Sequence, residues 1–256
     1  NNIGVFYQEM GRFDKAAENL LKALSINQKL KLQDNIVRQL NNLGNTFRRK
    51  GVISRDEKDF NKALNYFDEC LNTVKQIKDK KTEIKVLNNI GFLYIDLKKY
   101  LDALRYFESS LKKAEESQDI EMISLLQDNM GIVYFNLGNY EKSINLYQRS
   151  IEIANDIGDS QTLWEAHFGL GQCFEKENDY PKAIMNYKKA IDIIDHIRGQ
   201  ISIDIYKAGF VRDKLKAYES LIDLLYRLNK ADSSKGYARE LFQIVERAKA
   251  RAFMES

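Results

Sequence analysis

Residues 88–91 read NNIG, and four related strings recur along the chain: NNIG at 1–4, NNLG at 41–44, DNMG at 128–131 and FGLG at 168–171. The glycines that end these strings are 40, 47, 40 and 40 residues apart. A period of this length is typical of supersecondary units that stack on their neighbours. The sequence therefore predicts five repeats of about 40 residues over 1–200, with the glycines Gly4, Gly44, Gly91, Gly131 and Gly171 in the first helix of each.

Each glycine is followed by the same series of residue types, with an aromatic residue three positions later and then a second segment of small and large residues. In the third repeat the series is Tyr94, Tyr100, Ala103, Phe107 and Ser110. Spacings of three and four place these side chains on one helical stripe. The single proline of the chain agrees with this interpretation, because proline breaks helix interiors. We expect an all-α fold of antiparallel helix hairpins, each with a helix A and a helix B.

This pattern resembles the tetratricopeptide repeat in the positions of the glycine, the following aromatic residue, the small residue of helix B and its next large residue. The period is about 40 rather than about 34, and the closing proline of that family is absent. The chain therefore looks like the longer-helix subclass of these proteins. The resemblance implies a right-handed superhelical solenoid in which helices A line a concave face.

The interval of 47 residues between Gly44 and Gly91 contains a seven-residue insertion near Gly51–Lys58. It lies between helices A and B of the second hairpin. One interpretation is a lengthened hairpin tip, and the other is a contact with a partner.

Composition and charge favour an intracellular helical protein. The 40 basic and 37 acidic residues are interspersed, and the net charge is +3, so direct binding of nucleic acid is not expected. No apolar run reaches the roughly 18 residues of a membrane span. Two cysteines form no disulfide framework. We expect a cytoplasmic protein without a cofactor; the sequence predicts no oligomeric state.

No catalytic or metal-binding constellation is visible. Cys70 takes the small-residue position of a helix B, and Cys173 lies in helix A of the fifth repeat. His167 is six residues before Cys173, which is not one helical face, and His196 lies in another helix. Nucleophilic catalysis needs a nucleophile beside an oriented base, so we expect no enzymatic activity from this chain.

Asparagines recur where the resemblance places the concave face. The asparagines that lie two positions before a repeat glycine are Asn2, Asn42, Asn89 and Asn129. The asparagines that lie three positions before a repeat glycine are Asn1, Asn41 and Asn88. An asparagine amide is both donor and acceptor, so stacked asparagines can bind an extended peptide backbone. The alternative is that they bond to neighbouring helices within the array.

Other residues of the same register add charge and apolar surface. The basic candidates are Arg38, Arg48, Arg49 and Lys85, and the aromatic candidates are Phe92 and Phe135. We therefore expect the partner to be a protein or an extended peptide that carries acidic and apolar residues.

The period is lost after Ile201, and residues 201–256 predict a long helical hairpin with helices over 204–229 and 233–254. Its sequence around Glu246–Arg251, ERAKAR, resembles the segment that joins tetratricopeptide arrays to CHAT domains, which are caspase-like or separase-like cysteine peptidases. The resemblance implies that this hairpin is the junction to a further domain, and that the chain is part of a longer protein.

Two functions follow as hypotheses. The first is a non-catalytic scaffold that regulates a CHAT-type peptidase in a bacterial defence or signalling system, where family members can be held by an RNA-guided effector. The second is a peptide-pheromone receptor of the quorum-sensing repeat class, whose arrays also have long repeats and asparagine-lined grooves.

Overall fold

Helical hairpins make up the described part of the chain, which comprises residues 2–200 and 214–253 of a computed structural model. None of these residues lies in a β-strand. The predicted all-α fold of antiparallel hairpins is therefore confirmed. The chain divides into two compact units, Asn1–Met122 (the first unit) and Ile123–Ser256 (the second unit). The division expected from the sequence, 1–200 and 201–256, stays a prediction.

The first unit contains three hairpins. Their helices are α1 (Asn2–Glu9), α2 (Phe13–Lys29), α3 (Gln33–Ser54), α4 (Glu57–Ile77), α5 (Lys80–Asp96) and α6 (Tyr100–Glu116). Helix α7 (Ile120–Asn136) crosses the boundary between the units. The helices of the second unit that follow are α8 (Tyr140–Ile157), α9 (Ser160–Lys176), α10 (Tyr180–Gln200), α11 (Leu215–Ala231) and α12 (Tyr237–Phe253). A short 3-10 helix, Ser233–Lys235, precedes α12.

The repeat glycines lie where a helix A meets its own helix B. A Cβ on Gly131 would stand 2.7 Å from Cε1 of Tyr147, and one on Gly91 would overlap the ring of Phe107. Tyr147 and Phe107 are the large apolar residues that the sequence places in helix B, and both are buried. Burying such a ring contributes roughly 1.5–3 kcal/mol. The glycine therefore fixes the close approach of the two helices, as the sequence predicted.

The small residue that follows the large one on helix B also bonds to helix A. Ser110 Oγ donates to the carbonyl oxygen of Ile84 at 2.8 Å, and Ser150 Oγ donates to that of Ser124 at 3.0 Å. Cys70 makes the corresponding contact to the Val37 carbonyl at 3.4 Å. Side chains of this size fill a fully buried position and satisfy their own polar atom there.

The insertion of the second repeat is helical. Helices α3 and α4 contain 22 and 21 residues, whereas α5 and α6 contain 17 each. The turn between α3 and α4 is reduced to Arg55 and Asp56, and the Asp56 side chain accepts a hydrogen bond from the backbone N–H of Lys58 at 2.9 Å. The extra residues therefore lengthen both helices of the hairpin rather than forming a loop.

Part of the predicted C-terminal hairpin lies outside the described residues. The helix expected over 204–229 is described from Leu215 to Ala231, and Tyr206, Phe210 and Val211 belong to the undescribed range 201–213. The helix expected over 233–254 is described as α12. Within the second unit, the Arg247 guanidinium binds the carboxylates of Asp192 and Asp195 on α10, each at 2.7 Å. The first arginine of the ERAKAR segment therefore fixes α12 to α10.

Candidate functional site

A hydrogen bond between two of the predicted asparagines joins consecutive helices A of the first unit. Asn89 Nδ2 on α5 donates to Asn41 Oδ1 on α3 at 2.8 Å. Both side chains are partly buried. The sequence left two alternatives open for the asparagines, binding of a peptide or bonding to neighbouring helices within the array. For this pair, the structure contains a bond of the second kind. We call the surface formed by these two helices around this bond the α3–α5 surface.

The other asparagines differ in exposure. Asn42 is partly buried on α3, whereas Asn88 is only 7% exposed on α5. In the second unit Asn129 is 2% exposed. The side chains of Asn1 and Asn2 lie outside the described residues. Among the predicted asparagines whose side chains are described, those that reach solvent are therefore Asn41, Asn42 and Asn89, all in the first unit.

A second polar contact on the α3–α5 surface involves a residue that the sequence did not single out. Arg48 Nη1 donates to Asp96 Oδ2 at 2.8 Å, and both side chains are 21% exposed. The Arg48 guanidinium also lies 5.6 Å from the ring centroid of Phe92. Phe92 in turn packs edge-on against Phe107 of the core, with ring centroids 5.7 Å apart. Arg48 is therefore paired with Asp96, so that less of its charge is available than its sequence position suggests.

Both contacts between α3 and α5 join residues 48 positions apart, which is the local repeat interval of 47 plus one. A search for complementary side chains at this separation would have found Asp96. Burial raises the pKa of the Asp96 carboxyl, while the charge and the hydrogen bond of Arg48 act in the opposite direction.

The remaining basic candidates lie at two places. Arg38 and Lys85 are exposed on α3 and α5, each six residues before its repeat glycine. The exposed Arg49 instead lies over Phe13 of α2, with 5.7 Å between its guanidinium carbon and the ring centroid. Of the basic candidates, Arg38 and Lys85 are therefore the accessible ones on α3 and α5.

The second unit departs from the asparagine pattern for a packing reason. Gly169 takes the position of Asn89, and a Cβ there would overlap the ring of Tyr147. Phe135 packs against the hydrophobic core of this unit, with its ring centroid 5.5 Å from that of Tyr140. The predicted partner-binding positions in the second unit are thus largely occupied with internal packing.

A buried acidic residue also distinguishes the second unit. Asp128, at the position of Asn88, is 2% exposed, and its Oδ1 has no hydrogen-bond partner among the described residues. Burial and the neighbouring Glu165 carboxylate raise the pKa of Asp128 well above its usual range. Its proton is therefore held far more tightly than that of a surface aspartic acid.

The nucleophile candidates are buried packing residues. Burial raises the pKa of the Cys70 thiol to about 12 and that of the Cys173 thiol to about 11. Because the thiolate is the nucleophilic form, these shifts disfavour reaction. His167 Nδ1 lies 2.9 Å from Asn186 Oδ1, and burial lowers the pKa of its imidazole. Cys173 Sγ contacts Ser143 Oγ at 3.2 Å, so its partner is a serine hydroxyl.

Comparison with known sequences identifies the repeat. Sequence profiles of the tetratricopeptide repeat match residues 45–116 and 121–195, and a second such profile matches residues 1–30. The chain belongs to the tetratricopeptide-repeat family. Solved structures share the fold of this chain. A comparison with curated proteins found no match.

Three solved structures illustrate the similarity of this tetratricopeptide-repeat protein to known folds. BtubC from P. vanneervenii is 14% identical, with 93% of this chain and 92% of that chain covered and a TM-score of 0.70. Aspartyl phosphate phosphatase F from Bacillus subtilis is 16% identical, with 98% and 65% covered and a TM-score of 0.68. A Rap protein complexed with Competence and Sporulation Factor is 16% identical, with 97% and 74% covered and a TM-score of 0.65. At these identities the similarity shows the fold.

Two further properties of this tetratricopeptide-repeat protein concern metals and membranes. Within residues 2–200 and 214–253, no group of three or more His, Cys, Asp or Glu side chains is placed to hold a metal ion. None of the helices described here combines the length and the apolar character needed to cross a bilayer.

Proposed function

We propose that this chain is a non-catalytic scaffold and that its α3–α5 surface binds an extended segment of a partner protein or a peptide. The observation that carries the proposal is the bond between Asn41 and Asn89. It uses the Asn41 carbonyl oxygen and one N–H of Asn89. The NH₂ group of Asn41 and the carbonyl oxygen of Asn89 then remain as a donor and an acceptor for a peptide backbone.

The surroundings of this pair favour a segment with acidic and apolar residues. Arg38 and Lys85 are exposed at one end of the two helices, and Phe92 is partly exposed at the other. Charged groups at the edge of a binding surface guide the approach of an oppositely charged partner. Asn42, Asn88, Arg48 and Arg49 are further candidates of the first unit, and Asn129 and Phe135 are those of the second.

Selection from a random peptide library displayed on phage tests this proposal. We expect enrichment of sequences that combine Asp or Glu with aliphatic residues. The double variant Asn41→Ala, Asn89→Ala should weaken a selected synthetic peptide by about tenfold, as expected for the loss of one or two hydrogen bonds. Asn61→Ala, an exposed asparagine on α4, is the matched control and should not change the affinity. Equal affinities for the double variant and the parent chain, with unchanged circular dichroism, would contradict the proposal.

We further propose that the scaffold regulates a CHAT-type cysteine peptidase in a bacterial defence or signalling system, with an RNA-guided effector as a candidate partner. The support is the ERAKAR sequence at Glu246–Arg251. Sequencing the gene beyond the codon for Ser256 tests this. A caspase-like α/β pattern with a His and a Cys supports the proposal, and a stop codon directly after Ser256 contradicts it.

The alternative is a receptor for a peptide pheromone. It is supported by the Rap protein that shares this fold and was solved with Competence and Sporulation Factor. The two functions differ in the ligand, since a receptor would select one short secreted peptide, whereas a scaffold would bind a segment within a folded protein.

A further inference from the structure

The first unit contains a cleft of about 480 Å³ beside the insertion of the second repeat. One wall is the turn between α1 and α2 together with the start of α2, over residues 11–15. The other wall is the end of α3, represented by Lys50, Ile53 and Ser54. The cleft is separate from the Asn41–Asn89 bond, which lies two turns or more earlier on α3.

The insertion creates this cleft. Helix α5 ends at Asp96, five residues after Gly91, whereas α3 continues to Ser54, ten residues after Gly44. The three residues of α3 that line the cleft therefore all belong to the added part of the helix. A repeat with the length of α5 would have no such wall.

The cleft has an apolar centre that is open to solvent. Ile53 lines the cleft and is 71% exposed. Phe13 forms part of the floor and is 8% exposed. Exposed aliphatic side chains next to a buried ring, with polar residues around them, are typical of interaction sites.

The residues that line the cleft carry more positive than negative charge, and the nearby carboxylates of Asp59 and Asp56 act on Lys50 alone among them. The lining residues include Arg12, Lys15, Lys50 and a single acidic residue, Asp14. Lys50 Nζ lies 2.5 Å from Asp14 Oδ1, so that this carboxylate is already paired. Arg12 and Lys15 are both exposed and contribute the remaining charge.

We propose that this cleft is a second docking site, which binds an acidic segment of a partner protein through one branched aliphatic side chain. The aliphatic side chain packs against Ile53 and Phe13, and flanking carboxylates pair with Arg12 and Lys15. Charge complementarity selects this occupant, because a basic segment would meet the same cations unfavourably. The site lies outside the α3–α5 surface and goes beyond the function proposed above.

Nuclear magnetic resonance of the whole chain with three short peptides tests the proposal. The peptides are acetyl-Glu-Leu-Asp-Glu-amide, its Leu-to-Ser form, and acetyl-Lys-Leu-Lys-Lys-amide. At millimolar concentrations the first should shift the methyl signals of Ile53 and the amide signals of Arg12 and Lys15. The second should bind at least about fivefold more weakly, because it loses apolar burial. The third should not bind.

Two variants and one control locate the binding. Ile53→Ser and Lys15→Gln should each weaken the first peptide several-fold. Ile26→Ser is the matched control, since Ile26 is 57% exposed on α2 but lies 13 residues beyond Phe13 along that helix. The proposal is overturned if the first peptide shifts none of these signals, if the basic peptide binds equally well, or if Ile53→Ser has no more effect than Ile26→Ser. Shifts confined to Asn41 and Asn89 would also overturn it while supporting the α3–α5 surface.

Discussion

The ring of Tyr147 packs directly on the backbone of Gly169, so that this residue of α9 has no room for a side chain. Tyr147 is 2% exposed and also packs against Gly131, where a Cβ would lie 2.7 Å from the ring. The asparagine series therefore ends at Gly169 because an aromatic ring occupies the space that a side chain would need.

We predict that Gly169→Ala destabilises the protein by about 1–3 kcal/mol, because the new methyl group would overpack a ring that cannot move away. The urea midpoint of unfolding measures this. Gly199→Ala is the matched control, since Gly199 is also helical but has no atom within 4 Å of the place that its new methyl group would take. There the better helix propensity of alanine should stabilise the chain by up to about 1 kcal/mol. Changes of the same sign in both variants would contradict the packing argument.

Lys98 occupies a backbone conformation that favours glycine. Its φ is 57°, and the residue at the same place in the next hairpin, Gly138, has a φ of 75°. A side chain in the left-handed region costs roughly 1–2 kcal/mol. Lys98→Gly should therefore raise the melting temperature. We expect a net gain of about 1 kcal/mol in the free energy of unfolding, because the relief of backbone strain exceeds the cost of the greater conformational entropy that glycine gives to the unfolded chain.

The reciprocal variant at the next hairpin checks this interpretation. Gly138→Ala places a side chain in the same left-handed turn, and nothing lies within 4 Å of the new methyl group. Any loss of stability there comes from the backbone rather than from a clash, and we expect about 1 kcal/mol. Thermal unfolding of the two variants should give shifts of opposite sign; two decreases would show that the lysine side chain itself stabilises the turn.

The sequence predicts the fold in detail because the same residue types recur at the same spacing within each repeat. The glycine of helix A and the large residue of helix B, such as Gly91 and Phe107, are in contact as their spacing requires. Left-handed residues occur at the turns within hairpins, at Gly11, Gly138 and Asn178. These features depend on neighbours within one hairpin, which lie close in the sequence.

The candidate site was harder to predict because it depends on contacts between repeats. Asn41 and Asn89 carry the same side chain as Asn88, yet Asn88 is buried and the other two reach solvent. All three lie on helices A, but consecutive residues such as Asn88 and Asn89 point about 100° apart around the helix axis, so one is covered and the other is not. Asp96 was missed for the same reason, since its partner Arg48 lies in another repeat.

Neither cysteine should react in the folded protein. With a thiol pKa of about 12 for Cys70, the thiolate fraction falls by about a thousandfold relative to a thiol of pKa 9.0. Titration with a chromogenic disulfide at about pH 8 should detect no thiol in the native chain and two after unfolding in urea. Rapid reaction of one thiol in the native chain would show that its hairpin opens on the time scale of the assay.

Asp128 supplies a test of the electrostatics of the second unit. Its pKa is raised by burial and by Glu165, so the folded chain binds this proton more tightly than the unfolded chain. The stability that the carboxyl contributes is present below its unfolded pKa and is lost as the pH rises through its folded pKa. Asp128→Asn removes this loss, because asparagine does not ionise.

We therefore predict that Asp128→Asn is more stable than the parent chain by about 1–3 kcal/mol at about pH 8, and that the difference falls toward zero at about pH 4. Urea unfolding across this range measures both. Asp156→Asn is the control, since Asp156 is an exposed carboxylate on α8, and its effect should stay within about 0.5 kcal/mol at every pH. A gain from Asp128→Asn that is equal at both ends of the range would mean that packing, rather than ionisation, sets the stability at this position.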